Sequence, residues 1–182
     1  DGAKGPQGPA GPAGSGGGAI LQVVHVEFTG IMSSNSQSFV DITDGSTALQ
    51  ASITPTSATS TMLIEVNLSA QCTRHNSVVF HLWDGTSTVG GGVAEDGSTQ
   101  AVDGVLFQYW NYNVGDRLYS PMSFSAVVKD SPNTTDEITY VVRGASGTGA
   151  GTFYVNRNMY SVLDKLEHSY VASSITIYEI GE

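Results

Sequence analysis

Apolar residues fall at every second position over much of this chain. In TMLIEVNLSAQC, Met62, Ile64, Val66, Leu68, Ala70 and Cys72 point one way. Thr61, Leu63, Glu65, Asn67, Ser69 and Gln71 point the other way and are mostly polar. Successive side chains of a β-strand leave opposite faces, so this period predicts a strand with one dry and one wet face. SPMSFSAVVKD repeats the pattern with Met122, Phe124, Ala126 and Val128 inside, and EITYVVRG with Ile138, Tyr140 and Val142 inside. Further strands are predicted at 20–28, 36–42, 47–54, 77–83, 105–112, 152–157 and 173–180. Between them stand TDGST, TPTSAT, DGTST, NVGD, DSPNTTDE and GASGTGAG, clusters of residues that turn the chain. Roughly ten short strands so punctuated predict an all-β, antiparallel sandwich or barrel.

Two strands depart from the rule of one wet face. In AILQVVHVEF, Leu21 and Val23 oppose Val24, Val26 and Phe28; in VLFQYWNY, Phe107 and Tyr109 oppose Leu106, Trp110 and Tyr112. A strand apolar on both sides needs a second cover. A neighbouring subunit supplies one, and Leu21, Val23, Trp110 and Tyr112 are therefore the candidate interface residues. The alternative cover is a loop of the same chain. One segment leaves the β pattern: NMYSVLDKLEHSYV spaces Met159, Val162, Leu163, Leu166 and Tyr170 as in a short helix or ordered loop.

The first 17 residues have a different period. Gly2, Gly5, Gly8, Gly11 and Gly14 recur every third position, with Pro6, Pro9 and Pro12 directly after glycine. Three polyproline-like strands wind about one axis in a collagen triple helix, and only glycine fits at that axis. A flexible linker would need glycine but no register. Residues 1–17 are thus read as a collagen-like stalk and 18–182 as a β-sandwich head, with the whole a homotrimer. Five triplets span only about 45 Å, at roughly 3 Å per residue, so the head is expected to clamp the trimer. A sequence that opens within a triplet is expected to continue a collagen segment upstream. Prolines fill X rather than Y, where hydroxyproline belongs, which points to a bacterial or viral maker.

Composition removes several classes of function. A net charge of −10 argues against nucleic acid and against anionic membranes. No apolar run is long enough for a membrane-spanning helix, so no membrane insertion is expected. Cys72 stands alone, which excludes an internal disulfide and a cysteine-rich zinc site, and its place among inward residues predicts a buried thiol. His25, His75, His81 and His168 form no HxH or HExxH pair, although a threefold axis can gather one histidine from each copy. No GxSxG occurs, and Glu95/Asp96 and Asp136/Glu137 are adjacent acids in turn-rich loops rather than a converging pair. No cofactor and no enzymatic activity are expected. The acidic loops DGSTQAVDG and DSPNTTDE offer oxygens for calcium without EF-hand spacing. Asn67-Leu-Ser and Asn133-Thr-Thr match the glycosylation acceptor. Aromatic side chains remain the best recognition candidates, because sugar rings present C–H faces that pack on them. Trp83, Tyr109, Trp110, Tyr112, Tyr154, Tyr160 and Tyr170 exceed what a core requires.

The stretches LQASITPTSATSTMLIEVNLSA, GTFYVNRN and ASSITIYEI resemble C-terminal domains of bacteriophage tail-fibre and virion structural proteins, including those of cyanobacterial phages, which often follow collagen triplets. The architecture is also similar to collagen-stalked spore-surface glycoproteins and to complement and tumour-necrosis-factor-like heads. The phage resemblance implies a trimeric jelly-roll tip on a virion, acting outside the host cell. Such a tip binds a host cell-surface receptor, of which glycan is the leading class, and meets other tail or baseplate proteins through its N-terminal side. A structural trimerisation cap or surface decoration of a virion or spore is the alternative, and a polysaccharide-degrading enzyme a second. The segment 158–170 is the candidate receptor contact, through Tyr160, Lys165, His168 and Tyr170, with the 84–104 loop next.

Overall fold

The computed structural model describes residues 18–73, 75–90, 104–111, 121–147, 151–158 and 171–181. These residues hold twelve strands: β1 (Ile20–Phe28), β2 (Met32–Ser34), β3 (Val40–Asp41), β4 (Gln50–Ile53), β5 (Thr61–Cys72), β6 (Asn76–Trp83), β7 (Thr88–Val89), β8 (Val105–Asn111), β9 (Met122–Asp130), β10 (Ile138–Ser146), β11 (Phe153–Val155) and β12 (Ser173–Ile180). They form two six-stranded antiparallel sheets packed as a sandwich. Sheet one runs β1-β12-β5, with β9 on the other side of β5 and β11 and β2 continuing past β12. Sheet two is centred on β10 and β6, with β3 and β4 beyond β10 and β7 and β8 beyond β6.

The alternation read in β5 is the spine of the core. Met62, Ile64, Val66, Leu68, Ala70 and Cys72 are all buried and meet Ile175 and Ile177 of β12 and Val78, Phe80 and Leu82 of β6. Burial of each large aliphatic or aromatic side chain contributes about 1.5–3 kcal/mol. Gly144 faces the Phe80 ring, where a Cβ would come within 2.8 Å of Cε1, so close packing of β10 on β6 needs glycine there. Cys72 is sealed in this core with its Sγ 3.2 Å from the Asn76 carbonyl oxygen, and burial pushes the thiol up to about 11.

Three details differ from the sequence reading. Met122 is exposed rather than inside, because it begins β9 at the end of the sandwich; Phe124, Ala126 and Val128 do pack on the core. Leu106 also packs on the core, although its neighbour Phe107 is buried, because the register of β8 shifts opposite Phe80 and His81. The strands expected at 36–42 and 47–54 shrink to β3 and β4. Between them the chain reverses at Gly45 (φ 92°), where Asp44 Oδ1 accepts the N–H groups of Ser46 and Thr47 at 2.8 Å. Asp84 repeats this turn with Thr86 and Ser87. The collagen-like triplets and the helical spacing of 159–170 lie outside the described residues.

The chain reaches the sandwich at Gly18, beside Gly181, whose N–H donates to the Ala19 carbonyl at 2.9 Å. The β4–β5 connection lies at the same end, and Glu179 holds it there. One Glu179 carboxylate oxygen accepts the N–H and hydroxyl of Thr56 at 2.7 Å each, and the other accepts Gln22 Nε2 at 2.6 Å. Burial acts to raise the pKa of Glu179, but the neighbouring Ser60 hydroxyl and the Thr56 and Gln22 donors outweigh it and hold the carboxyl at about 2. Asn156 organises the opposite end. It sits in the left-handed region (φ 57°) that asparagine tolerates better than most residues. Its amide donates to the carbonyls of Phe28 (2.7 Å) and Gly30 (2.9 Å), and its Oδ1 accepts the Ser173 hydroxyl.

Candidate functional site

Neither end of the sandwich gathers a catalytic constellation among the described residues, and the two outer faces carry the informative side chains. On sheet two, Tyr140 and Val142 enter the core, so Val141 and Arg143 face outward, as do His81 and Trp83 of the adjacent β6. Register sets Arg143 between His81 and Asp41. The Phe39 ring lies flat on His81, with centroids 3.8 Å apart and planes at 10°, and Trp83 stacks 6.1 Å from His81. The Arg143 guanidinium covers the Trp83 ring at 5.3 Å, pairs with Asp41 at 3.0 Å and donates to the Phe39 carbonyl at 3.0 Å.

This stack closes over the imidazole. His81 is 4% exposed, and neither ring nitrogen has a hydrogen-bond partner. Burial lowers its pKa, the Arg143 charge lowers it further, and Asp41 only partly opposes them, which leaves His81 near 4. His81 is therefore a neutral ring at pH 7, held by stacking rather than by hydrogen bonds. Trp110, at the other end of this face and opposite Ser77, is exposed.

The outer face of sheet one is built differently. Register lines up Val23 of β1, Tyr178 of β12, Leu63 of β5 and Lys129 of β9 in one row. The next row is His25, Thr176, Glu65 and Val127, and the third is Glu27, Ser174, Asn67 and Ser125. His25 Nδ1 lies 2.8 Å from the Thr176 hydroxyl. Eight large apolar residues are exposed among the described residues. Ile20, Leu21, Val23, Met122 and Val127 are on sheet-one strands and Ile31 and Val171 are in connections next to them, leaving only Trp110 on sheet two.

Two grooves are lined by described residues. One of about 430 Å³, near the Gly18 end, is lined by Asp84, Asp130 and Glu137 with the hydroxyls of Thr86, Ser131 and Thr134. Asp130 there accepts the buried Tyr140 hydroxyl at 2.7 Å. A smaller notch of about 270 Å³ lies between Ser69 and Ser125, beside Val171. Among the described residues no group of three or more His, Cys, Asp or Glu side chains is arranged to hold a metal ion, and no helix is long and apolar enough to cross a membrane.

The residues singled out from sequence are not gathered in one place. Leu21 and Val23 are exposed on sheet one, whereas Trp110 is exposed on sheet two. Tyr112, Tyr160, Lys165, His168 and Tyr170 lie outside the described residues. The sequence reading did not find Phe39, His81 and Arg143 as a cluster, because 104 positions separate Phe39 from Arg143 and no local pattern joins them. Asn156 falls inside the strand predicted at 152–157, but β11 stops at Val155 and Asn156 turns into the left-handed region, which asparagine visits more readily than most residues. No protein-family model matches the chain, and no curated protein matches it in sequence.

Proposed function

We propose that this chain is the head of a trimeric, collagen-stalked fibre on a bacteriophage virion, attaching the particle to a glycan receptor on the host cell surface. The eight longer strands support a jelly-roll reading. Apart from β6 and β8, which pair in one sheet, consecutive members switch sheets, so that β1-β12-β5-β9 faces β4-β10-β6-β8, the double-sheet arrangement of two Greek keys.

The polarity of the sandwich carries the proposal. Five collagen triplets precede Gly18 at one end. Asn158 and Val171, which flank the candidate receptor segment, belong to the opposite end, beside the Asn156–Phe28–Ser173 junction. A stalk at one end and a recognition segment anchored at the other is the layout an attachment fibre needs. Three linked copies turn weak single contacts into firm attachment, because the second and third contacts form at high effective concentration.

Host-cell binding by the whole chain, with Tyr160→Ala plus Tyr170→Ala as the variant, tests this. The double variant should stay folded, keep its mass and lose at least about tenfold in cell-bound protein, the scale at which aromatic anchors act. Wild-type protein that binds neither host cells nor a glycan array would leave the structural-cap reading in its place. Depolymerisation of host polysaccharide by the wild type would favour the enzymatic alternative.

A further inference from the structure

We infer that the outer face of sheet one is a heterologous threefold contact: the β1–β12 edge of one copy packs against the β9 edge of the next. The inference rests on the three-chain reading above and goes beyond it by assigning the surfaces.

Exposure is the first observation. Val23 is 52% exposed and Val127 64%, on two strands whose inner faces already pack on the core. β1 is apolar on both faces with one of them open, which leaves it unsatisfied in water, whereas on β9 Val127 stands between the outward Ser125 and Lys129. Register makes these residues a surface rather than scattered points. Val23, Tyr178 and Leu63 share a row across three strands, and Val127 stands in the adjacent row next to Glu65.

Position in the sheet is the second observation. In the order β1-β12-β5-β9, the strands β1 and β9 are opposite edges, and among the described residues each pairs with one neighbour only. Leu21 and Val23 mark one edge and Val127 the other. A twofold dimer uses one self-complementary patch on each copy, whereas a threefold ring needs two different patches, one for each neighbour. An apolar patch on the β1 edge and the exposed Val127 on the β9 edge are two different contact sites, as the ring requires. The same contact also covers two strand edges that would otherwise invite uncontrolled pairing.

The triplets decide what covers the face. Glycine at every third position before Gly18 demands two further copies of this chain, aligned side by side. The triplets end directly before Gly18 and β1, so a stalk sets three heads side by side with their Gly18 ends together, each offering its β1 edge to the next copy. Charge does not oppose this. The chain carries 17 acidic against 7 basic residues, but the outward rows of this face place Lys129 and His25 beside Glu27 and Glu65. Trp110 is on the other sheet and takes no part.

Sedimentation and far-UV circular dichroism of the full chain test the assignment. Wild type should sediment as a trimer. Val23→Glu and Val127→Glu should each raise the dissociation constant at least about 100-fold, since an unpaired charge buried in the contact costs several kcal/mol and each 1.4 kcal/mol is tenfold, and should yield folded monomers. Trp110→Glu should remain trimeric. Should a glutamate variant unfold, Val127→Thr, nearly isosteric, should still weaken association about tenfold while folded. A short bis-maleimide should link Val23→Cys/Val127→Cys protein into species of up to three chains and link neither single variant. A trimer that survives Val127→Glu, or a dimer linked by one single-cysteine variant, overturns the assigned surfaces while the three-chain reading stands. A wild type that sediments as a monomer overturns both.

Discussion

The two outer faces of the sandwich solve the same problem in opposite ways. Each has apolar or aromatic side chains at outward positions of a β-sheet, where water should meet polar groups. Sheet two covers its own around His81, although Trp110 at the other end stays exposed. Phe39 reaches back over His81, Arg143 spans Trp83, and Asp41 holds the guanidinium in place. Sheet one leaves Leu21, Val23 and Val127 open, with no long cation or loop of the described chain drawn across them. A self-closed face contributes to the stability of the single domain, whereas an open one contributes only when something else arrives.

The comparison breaks most visibly at Arg143. Arg143→Ala removes an ion pair, a bond to the Phe39 carbonyl and the cover of Trp83 together. It should destabilise the folded chain by about 2–3 kcal/mol, read as a lower urea midpoint, without changing the assembled mass. Arg143→Lys should recover less than half of that, because an ammonium lacks the planar fork and stacks poorly. Reduced mass with unchanged stability in Arg143→Ala would assign the two faces the wrong way round.

A pH series sharpens the contrast further. The folded chain holds His81 near 4, below its ordinary value of 6.5, so between these values the unfolded chain binds the extra proton. The His81 contribution is therefore full above pH 6.5 and is lost as pH falls toward 4. Glu179, held near 2 against an ordinary 4.5, adds a second loss that starts below pH 4.5. Urea unfolding from pH 7.5 to 3 should show declining stability in both windows, and His81→Phe should flatten the upper one alone. The smallest effect belongs to sheet one. Val23→Ser, at an exposed position, should alter the stability of the separated domain by less than about 0.5 kcal/mol, measured on a monomeric Val127→Glu background.

What could be read in the sequence was local. The alternation from Met62 to Cys72 specified a strand, its buried face and a sealed thiol, because period-two patterning needs only neighbours in the chain. The doubly apolar AILQVVHVEF was legible for the same reason, and Leu21 and Val23 are indeed uncovered. The pattern failed at Leu106, where a shift in the pairing of β8 with β6 re-aims a side chain, and at Met122, where the strand outlasts the core. Arg143 and His81 were illegible because their meaning depends on Phe39 and Asp41, brought in by β3 from a distant part of the chain. Partner sheets, unlike strands, are chosen by contacts that no window of sequence contains.

The pairing of β1 with β12 also has a consequence for biosynthesis. Among the described residues β1 pairs with β12 alone, so it waits through the synthesis of residues 29–172 before it is bonded. A chain made from its N-terminus can bond β1 only once β12 has been made, and such long-range closure is slow. Until β12 is made, β1 is a strand with two apolar faces and no partner among the described residues, so the domain closes in one late step.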